Sequence, residues 1–133
     1  MKVIIASTIE QEERIKELVG QLKEEIFPRF FEKEQLQSMY DFGILQLTEY
    51  HFQRFDNLQD AFQVISSLQT IISILETDEP AELPVHYQEM FERNTLILQE
   101  FDIDFPFFLS HFTNKKTPAS YLAFAIPANT YLI

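Results

Sequence analysis

The chain has 133 residues, a length typical of one domain that can build its own hydrophobic core. It contains no cysteine, carries a formal net charge of −11, and has 14 Phe and 5 Tyr but no Trp. The lack of cysteine excludes disulfides, thiolate nucleophiles and sulfur-ligated metals, and it is typical of proteins from a reducing cytosol. We therefore expect a single cytosolic domain over residues 1–133, with aromatic rings dominating its core.

The charge is distributed unevenly along the chain. Residues 36–114 hold thirteen acidic side chains against only Arg54 and Arg93, whereas the segment that begins at Lys115 has no acid at all. A negative middle repels phosphate backbones and anionic lipids, so nucleic acids and membrane surfaces are disfavoured as partners. No segment reaches the ~18–20 consecutive apolar residues that a membrane span requires. We expect the acids to form a solvated surface that keeps the protein soluble.

The first 28 residues predict a strand followed by a helix. Lys2–Ala6 (KVIIA) is short and rich in β-branched residues, which favour a strand. Ser7 or Thr8 can then cap a helix, because a Glu or Gln follows each of them by three residues. Pro28 should end this helix. Its apolar residues recur at helical spacing: Ile15, Leu18, Val19, Leu22 and Ile26.

A second helix is predicted from Glu32 to about Tyr40, ending near Gly43. The run that follows, ILQLTEYHF over 44–52, fits neither period well. Leu45 and Leu47 alternate as in a strand, but the aromatic residues after them do not continue the pattern. We leave residues 44–55 without a predicted element.

The longest predicted helix begins after a cap at Asp56 and ends near Thr77. Its residues 61–75, AFQVISSLQTIISIL, carry no charge and would form ~22 Å of helix, shorter than a hydrocarbon core of ~30 Å. Apolar residues recur at spacings of 4, 3, 4 and 3: Ala61, Ile65, Leu68, Ile72 and Leu75. The opposite side is polar but uncharged: Gln59, Gln63, Ser66, Thr70, Ser73 and Thr77. The pattern predicts a central core helix whose uncharged side meets a neighbouring helix, a water-filled groove or a partner.

Three further elements complete the predicted chain. A helix is expected over 84–101, with Pro84 as its first residue. The run FPFFLSHF over 105–112 predicts a short aromatic turn. The acid-free run SYLAFAI predicts a strand at about 120–126. Two strands at opposite ends of the chain suggest that they pair, which would fix both termini.

The sequence lacks the motifs of the common enzyme and cofactor classes. Because the chain has only Gly20 and Gly43, it cannot form a phosphate-cradling glycine loop or a G-x-S-x-G elbow. A carboxylate-bridged di-iron site would need Glu-x-x-His on two helices, whereas His86 precedes Glu89 in the reverse order and only once. We assign no catalytic, cofactor-binding or metal-binding residue, and an enzyme has no positive support.

The most distinctive local feature is the aromatic run with two acids before it. Large aromatic residues usually fill a core, so these rings could close one end of a helical bundle. Exposed aromatics instead mark a binding surface, and nearby acids would select a basic partner. On that hypothesis at least two of the four rings are solvent-accessible, although Asp104 could simply cap a following turn. The candidate interaction surface consists of Asp102, Asp104, Phe105, Phe107, Phe108 and Phe112.

Two stretches, KVIIASTIEQEERIKELV and QDAFQVISSLQTIISILE, together with the total length, resemble a family of small uncharacterised proteins from Gram-positive spore-forming bacteria, the YhcU-like proteins. The resemblance covers most of the chain and involves no catalytic motif. It implies a cytosolic bacterial protein of unknown function, with no family active site to transfer to this chain.

Taken together, the patterns predict an α+β fold that is mostly α. Four main helices would pack around the 56–77 helix, with a small sheet formed by the N- and C-terminal strands. The predicted function is a non-enzymatic protein–protein interaction or regulatory module that binds a protein partner or a second copy of itself. The alternative is a small-ligand binder or enzyme with an aromatic pocket and acids at its mouth. A closed Phe-lined pocket containing His or Asp would favour the alternative.

Overall fold

The computed structural model of the chain describes residues 9–48, 51–52, 55 and 58–113, and their regular secondary structure is helical. Short helical turns connect the α-helices. In the described part of the chain, four α-helices have assigned bounds: α1 (Ile9–Gln21), α2 (Lys33–Asp41), α3 (Leu58–Leu75) and α4 (Val85–Glu100). Residues 51–52 are also helical. One hydrophobic cluster joins buried residues of all four helices. A single domain over residues 1–133 stays a prediction.

The predicted α+β fold class is wrong, because no strand or sheet occurs in the described residues and the structure is mostly helical. The described helices bury their apolar faces against one another and against a cluster of phenylalanine rings. The β prediction depended on residue preferences in two short terminal segments, and such preferences vary strongly with context. The two segments, 2–6 and 120–126, lie outside the described residues, as do the proposed helix caps at 7, 8 and 56.

α1 leads into a helical segment of changed pitch. A π-helical turn, Leu22–Ile26, follows directly, and a 3₁₀ turn, Phe27–Arg29, contains Pro28. The amide of Phe27 donates to the carbonyl oxygen of Leu22, five residues back. The helix therefore loses its α-helical hydrogen bonding before the proline, which is consistent with Pro28 as the predicted stop.

α2 has defined signals at both ends. Glu32 is its N-cap, and the backbone amide of Glu32 donates to Oε1 of Gln35 at 2.8 Å in a capping box. At the other end the amide of Gly43 (φ +96°) donates to the carbonyl oxygen of Tyr40, and the next amide, of Ile44, donates to that of Met39. These two bonds form a Schellman motif. The helix predicted from Glu32 to about Tyr40 with a stop near Gly43 is confirmed.

α3 packs between α1 and α4 and has the widest buried face of the four helices. Leu68 is completely buried and Ile65 is only partly buried, at the edge of the core. The guanidinium of Arg29 closes the C-terminal end of α3 by donating to the carbonyl oxygens of Leu75 (3.3 Å) and Thr77 (3.2 Å). The buried residues of α3 are Ala61, Val64, Ser67, Leu68, Ile71, Ile72, Ile74 and Leu75.

α4 begins one residue later than predicted, because Pro84 is its N-cap rather than its first residue. Phe91 on this helix meets a cluster of rings from the α1–α2 connection and from the segment after α4. Neighbouring rings contact edge to face or tilted, for example Phe105 and Phe107 with ring centroids 5.1 Å apart. The buried rings of the cluster are Phe27, Phe30, Phe31, Phe91, Phe105, Phe107 and Phe112.

Candidate interaction surface

The aromatic run after α4 is divided between the core and the surface. Phe105, Phe107 and Phe112 are buried, whereas Phe108 is 53% exposed. The three buried rings all contact Phe27, with centroids at 6.0, 5.5 and 5.7 Å respectively. The expectation that at least two of the four rings are solvent-accessible is therefore wrong. The core interpretation is confirmed for three rings, and Phe108 alone is available at the surface.

The backbone conformation explains which ring is exposed. Residues 103–108 carry no helix assignment, and a 3₁₀ turn, Leu109–His111, follows. Burial alternates strictly: Ile103, Phe105, Phe107 and Leu109 are buried, while the residues between them are exposed or half-buried. Successive side chains of an extended chain point to opposite sides. Ile103, Phe105 and Phe107 already alternate in the sequence, so continuing this period of two would have identified Phe108 as outward-facing.

His111 fixes the backbone beside the exposed ring. The amide of Phe108 donates to Nδ1 of His111 at 2.9 Å, so this nitrogen carries no proton. Burial lowers the pKa of His111 to about 4. The imidazole also lies against Phe107 and Phe108, with centroids at 6.2 and 5.7 Å. His111 therefore acts as a neutral structural acceptor that holds the turn carrying Phe108.

Phe108 forms one wall of an open groove, which we call the Leu96–Phe108 groove. Its volume is about 430 Å³, and Leu96 on α4, with 58% of its surface exposed, forms another apolar part of its wall. Leu96 is absent from the predicted surface, because that surface was drawn only from the aromatic run and the two acids before it. An apolar residue on an otherwise solvated helix face was the signal for it. The lining residues are Glu92, Thr95, Leu96, Gln99, Phe105, Pro106, Phe107 and Phe108.

The two predicted acids lie beside this groove. Asp102, Asp104, Ile103 and Gln99 line a shallow depression of about 290 Å³, and Gln99 also lines the Leu96–Phe108 groove. The apolar groove therefore continues into an acidic depression, with Glu92 as a further acid in the groove lining. Partial burial raises the pKa of Asp104. Of the predicted surface residues, only Phe112 lines neither feature.

Backbone contacts hold both acids in place. Asp102 lies just after α4 and has a positive φ of 63°. Its amide donates to the carbonyl oxygen of Gln99, and the amide of Ile103 donates to the carbonyl oxygen of Leu98. These bonds form a second Schellman motif, with an aspartate at the position that glycine usually takes. The carbonyl oxygen of Asp104 accepts the amide of Leu45 at 2.8 Å. Asp104 does not cap the following turn as predicted, because Phe108 is the residue at that N-cap.

His51 connects the chain after α2 to the end of α4. The amide of Thr48 donates to Nδ1 of His51 at 3.0 Å, which leaves the proton on Nε2. Nε2 in turn donates to the carbonyl oxygen of Asp102 at 2.9 Å. Thr48 and the buried His51, in the region for which no element was predicted, thus support the end of α4.

Two further kinds of feature, a metal site and a membrane span, were sought among the described residues. Within them, no group of three or more His, Asp or Glu side chains is placed to hold a metal ion. None of the four α-helices is both long enough and apolar enough to cross a membrane.

Comparison with known proteins identifies the family. Residues 1–117 match the "Family of unknown function (DUF5365)". The chain belongs to this family. It is also 35% identical over 119 residues to the "Uncharacterized protein YhcU" of Bacillus subtilis (strain 168), an alignment that covers 90% of this chain and 88% of the relative. The resemblance to the YhcU-like proteins is therefore confirmed. No solved structure matches the chain.

Proposed function

We propose that this protein is a non-enzymatic interaction module of the cytosol that binds a basic partner segment in the Leu96–Phe108 groove. The supporting observation is the pair of exposed apolar walls, Leu96 and Phe108, held on fixed backbone beside Asp102 and Asp104. Aromatic and aliphatic side chains of a partner can bury area in such a groove, and contiguous exposed apolar surface commonly marks a binding site.

Charge selects the partner. The protein has a net charge of −11, and the groove has Glu92 in its lining and the two aspartates in the adjoining depression. A segment with an aromatic or aliphatic anchor and flanking Lys or Arg satisfies both features, because its charges remain at the solvated rim while its anchor is buried. The same field disfavours nucleic acids.

The alternative, a small-ligand binder or enzyme, has less support. Such a function calls for a closed pocket with a His or Asp among its lining residues. The Leu96–Phe108 groove is open along its length and has neither residue in its lining. The nearby His111 accepts the amide of Phe108, so its Nδ1 is occupied by a structural hydrogen bond.

Peptide-display selection against the immobilised full-length protein tests the proposal. We expect the selected peptides to combine Lys or Arg with an aromatic or aliphatic residue. A selected peptide should bind the Leu96→Ser and Phe108→Ser variants at least about tenfold more weakly, since each removes an apolar wall. Its affinity should also fall as salt is added, because screening weakens the attraction to the acids.

Val85→Ser is the matched control, since Val85 is also exposed on α4 (64%) but lies outside the groove lining. It should leave peptide affinity unchanged. A selection that yields no binding peptide would overturn the proposal. So would peptides that bind wild type, Leu96→Ser and Phe108→Ser equally well.

A further inference from the structure

A second surface, on α3, differs in character from the acidic groove. The outward side of this helix exposes Gln59, Phe62, Gln63, Ser66, Gln69 and Ser73, and residues 61–75 contain no charged side chain. Exposed helix faces ordinarily carry charges. In a protein with a net charge of −11, an exposed helix face without charge is unusual.

The shape of this surface suits another helix. Two concavities of about 380 Å³ each flank it on the α4 side, and Ser66 lines both of them. Phe62 projects at one end with 56% of its surface exposed. Two antiparallel helices with open space between them present the kind of groove into which a further helix packs.

The spacing along α3 is that of a helix–helix seam. Phe62, Ser66, Gln69 and Ser73 follow one another at intervals of 4, 3 and 4 residues, as core positions of a coiled coil do. We call these four residues the neutral face. If two such faces meet antiparallel, with the two-fold axis midway between Ser66 and Gln69, Phe62 lies opposite Ser73 of the other copy. Ser66 then lies opposite Gln69. Each large ring thus meets a small hydroxyl side chain, and polar groups meet polar groups.

We propose that the neutral face of α3 binds the neutral face of a second copy of this chain, forming an antiparallel two-fold dimer. Two-fold interfaces are self-complementary, as this pattern is. The charge argues for a second copy. A charged partner would have to bury its charges against side chains that cannot pair with them. Two copies of this acidic chain repel each other, and this repulsion is weakest where both copies present a surface without charge.

The dimer should be weak. One pair of helices buries less surface than the ~1,200–2,000 Å² of stable interfaces, so we expect a dimer that dissociates on dilution. This interface is separate from the Leu96–Phe108 groove, and the two associations should respond to salt in opposite directions. Screening reduces the repulsion between two acidic copies, so dimerisation strengthens with salt, whereas binding of a basic peptide weakens.

Sedimentation equilibrium of the full-length protein over a range of protein and NaCl concentrations tests the dimer. We expect a monomer–dimer equilibrium that shifts toward dimer as NaCl rises. Phe62→Lys should weaken it at least about tenfold, because it introduces an unpaired charge at the interface. The matched control is Phe42→Lys, which changes a ring of similar exposure (62%) at the end of α2 and should leave dimerisation unchanged.

The register can be tested with unique thiols, because the chain contains no cysteine. Mixed Ser66→Cys and Gln69→Cys chains should form the mixed disulfide in preference to either symmetric one. A protein that stays monomeric at high concentration and high salt would overturn the proposal, as would a dimer insensitive to Phe62→Lys. We expect Phe62→Lys to leave peptide binding unchanged and Leu96→Ser to leave dimerisation unchanged. These two results would show that the two surfaces bind their partners independently.

Discussion

The hydroxyl of Tyr40 donates a hydrogen bond to the carbonyl oxygen of Lys23 at 3.2 Å, and this bond joins α2 to the π-helical turn after α1. The π-helical turn itself offers few backbone amides that could donate to the carbonyl oxygen of Lys23. The amide four residues on, of Phe27, donates to Leu22, and the fifth residue on is Pro28, which has no amide hydrogen. Burial, assisted by the charge of Glu24, raises the pKa of Tyr40 to about 12, so the hydroxyl keeps its proton and donates at any physiological pH.

Tyr40→Phe should therefore lower the free energy of unfolding by about 1–2 kcal/mol, because a part-buried carbonyl loses a donor. Urea denaturation would measure the change. Tyr87→Phe is the control: Tyr87 is 36% exposed, and its loss of a hydroxyl should change stability by less than about 0.5 kcal/mol. Equal stabilities of Tyr40→Phe and wild type would show that the hydrogen bond contributes nothing.

The contact between Arg29 and the end of α3 leads to a second prediction. Its two nitrogens reach two separate carbonyl oxygens, and its charge is favourable near the negative end of a helix dipole. Arg29→Ala should cost about 1–2 kcal/mol, and Arg29→Lys should recover only part of this, since an ammonium cannot span both carbonyls in the same way. Arg93→Ala, at an exposed position on α4, should be near neutral. If Arg29→Lys is as stable as wild type, the positive charge alone accounts for the stabilising effect of Arg29.

The two glycines should respond to alanine with opposite signs. Gly20 lies within α1, and a Cβ built there meets no atom within 4 Å, so Gly20→Ala should stabilise the protein by about 0.5–1 kcal/mol. Gly43 has φ +96° in the Schellman motif that ends α2, and Gly43→Ala should destabilise by about 1 kcal/mol or more. Thermal unfolding of both variants beside wild type checks the pair. A change of the same sign in both would contradict this account.

These cases show why some features were predictable from the sequence. α2 was found from signals that act locally: apolar residues at helical spacing and a stop near Gly43, which the structure places at the αL position. The capping box at Glu32 is a further local signal that the prediction did not use. The buried face of α3 followed from its apolar spacing, which depends only on helix geometry. The π-helical turn was missed because the apolar residues around it keep a helical spacing. Its hydrogen bonds depend on Pro28 and on a tyrosine from another helix.

The interaction surface shows the limit of reasoning from composition alone. Four phenylalanines within eight residues were treated as one group, but an extended backbone sends alternate side chains to opposite sides. Three rings therefore joined the core and one stayed outside. Leu96 could not be paired with Phe108 in advance, because the groove exists only where the chain after α4 turns back along that helix.

The half-buried His111 makes stability depend on pH. Its pKa is about 4 in the folded protein and near its ordinary value of 6.5 in the unfolded chain. Between these pH values the unfolded chain binds more protons than the folded protein. The contribution of His111 to the free energy of unfolding is therefore complete above pH 6.5 and is lost as the pH falls toward 4. We expect a loss of about 1–2 kcal/mol across that window, after allowing for screening at a partly exposed site. Asp104 acts in the opposite direction, because its raised pKa favours the protonated form in the folded state.

Denaturant unfolding at several pH values between 7 and 4, on wild type and His111→Asn, isolates the histidine. The Asn carbonyl oxygen can accept the Phe108 amide in place of Nδ1 without titrating. The stability difference between variant and wild type should therefore shift in favour of the variant as the pH falls. His86→Asn, at an exposed histidine on α4, should follow the wild-type profile, because its side chain lies at the surface in both states. Parallel profiles for His111→Asn and wild type would mean that His111 is protonated equally in the folded and unfolded states, contrary to its position behind Phe108.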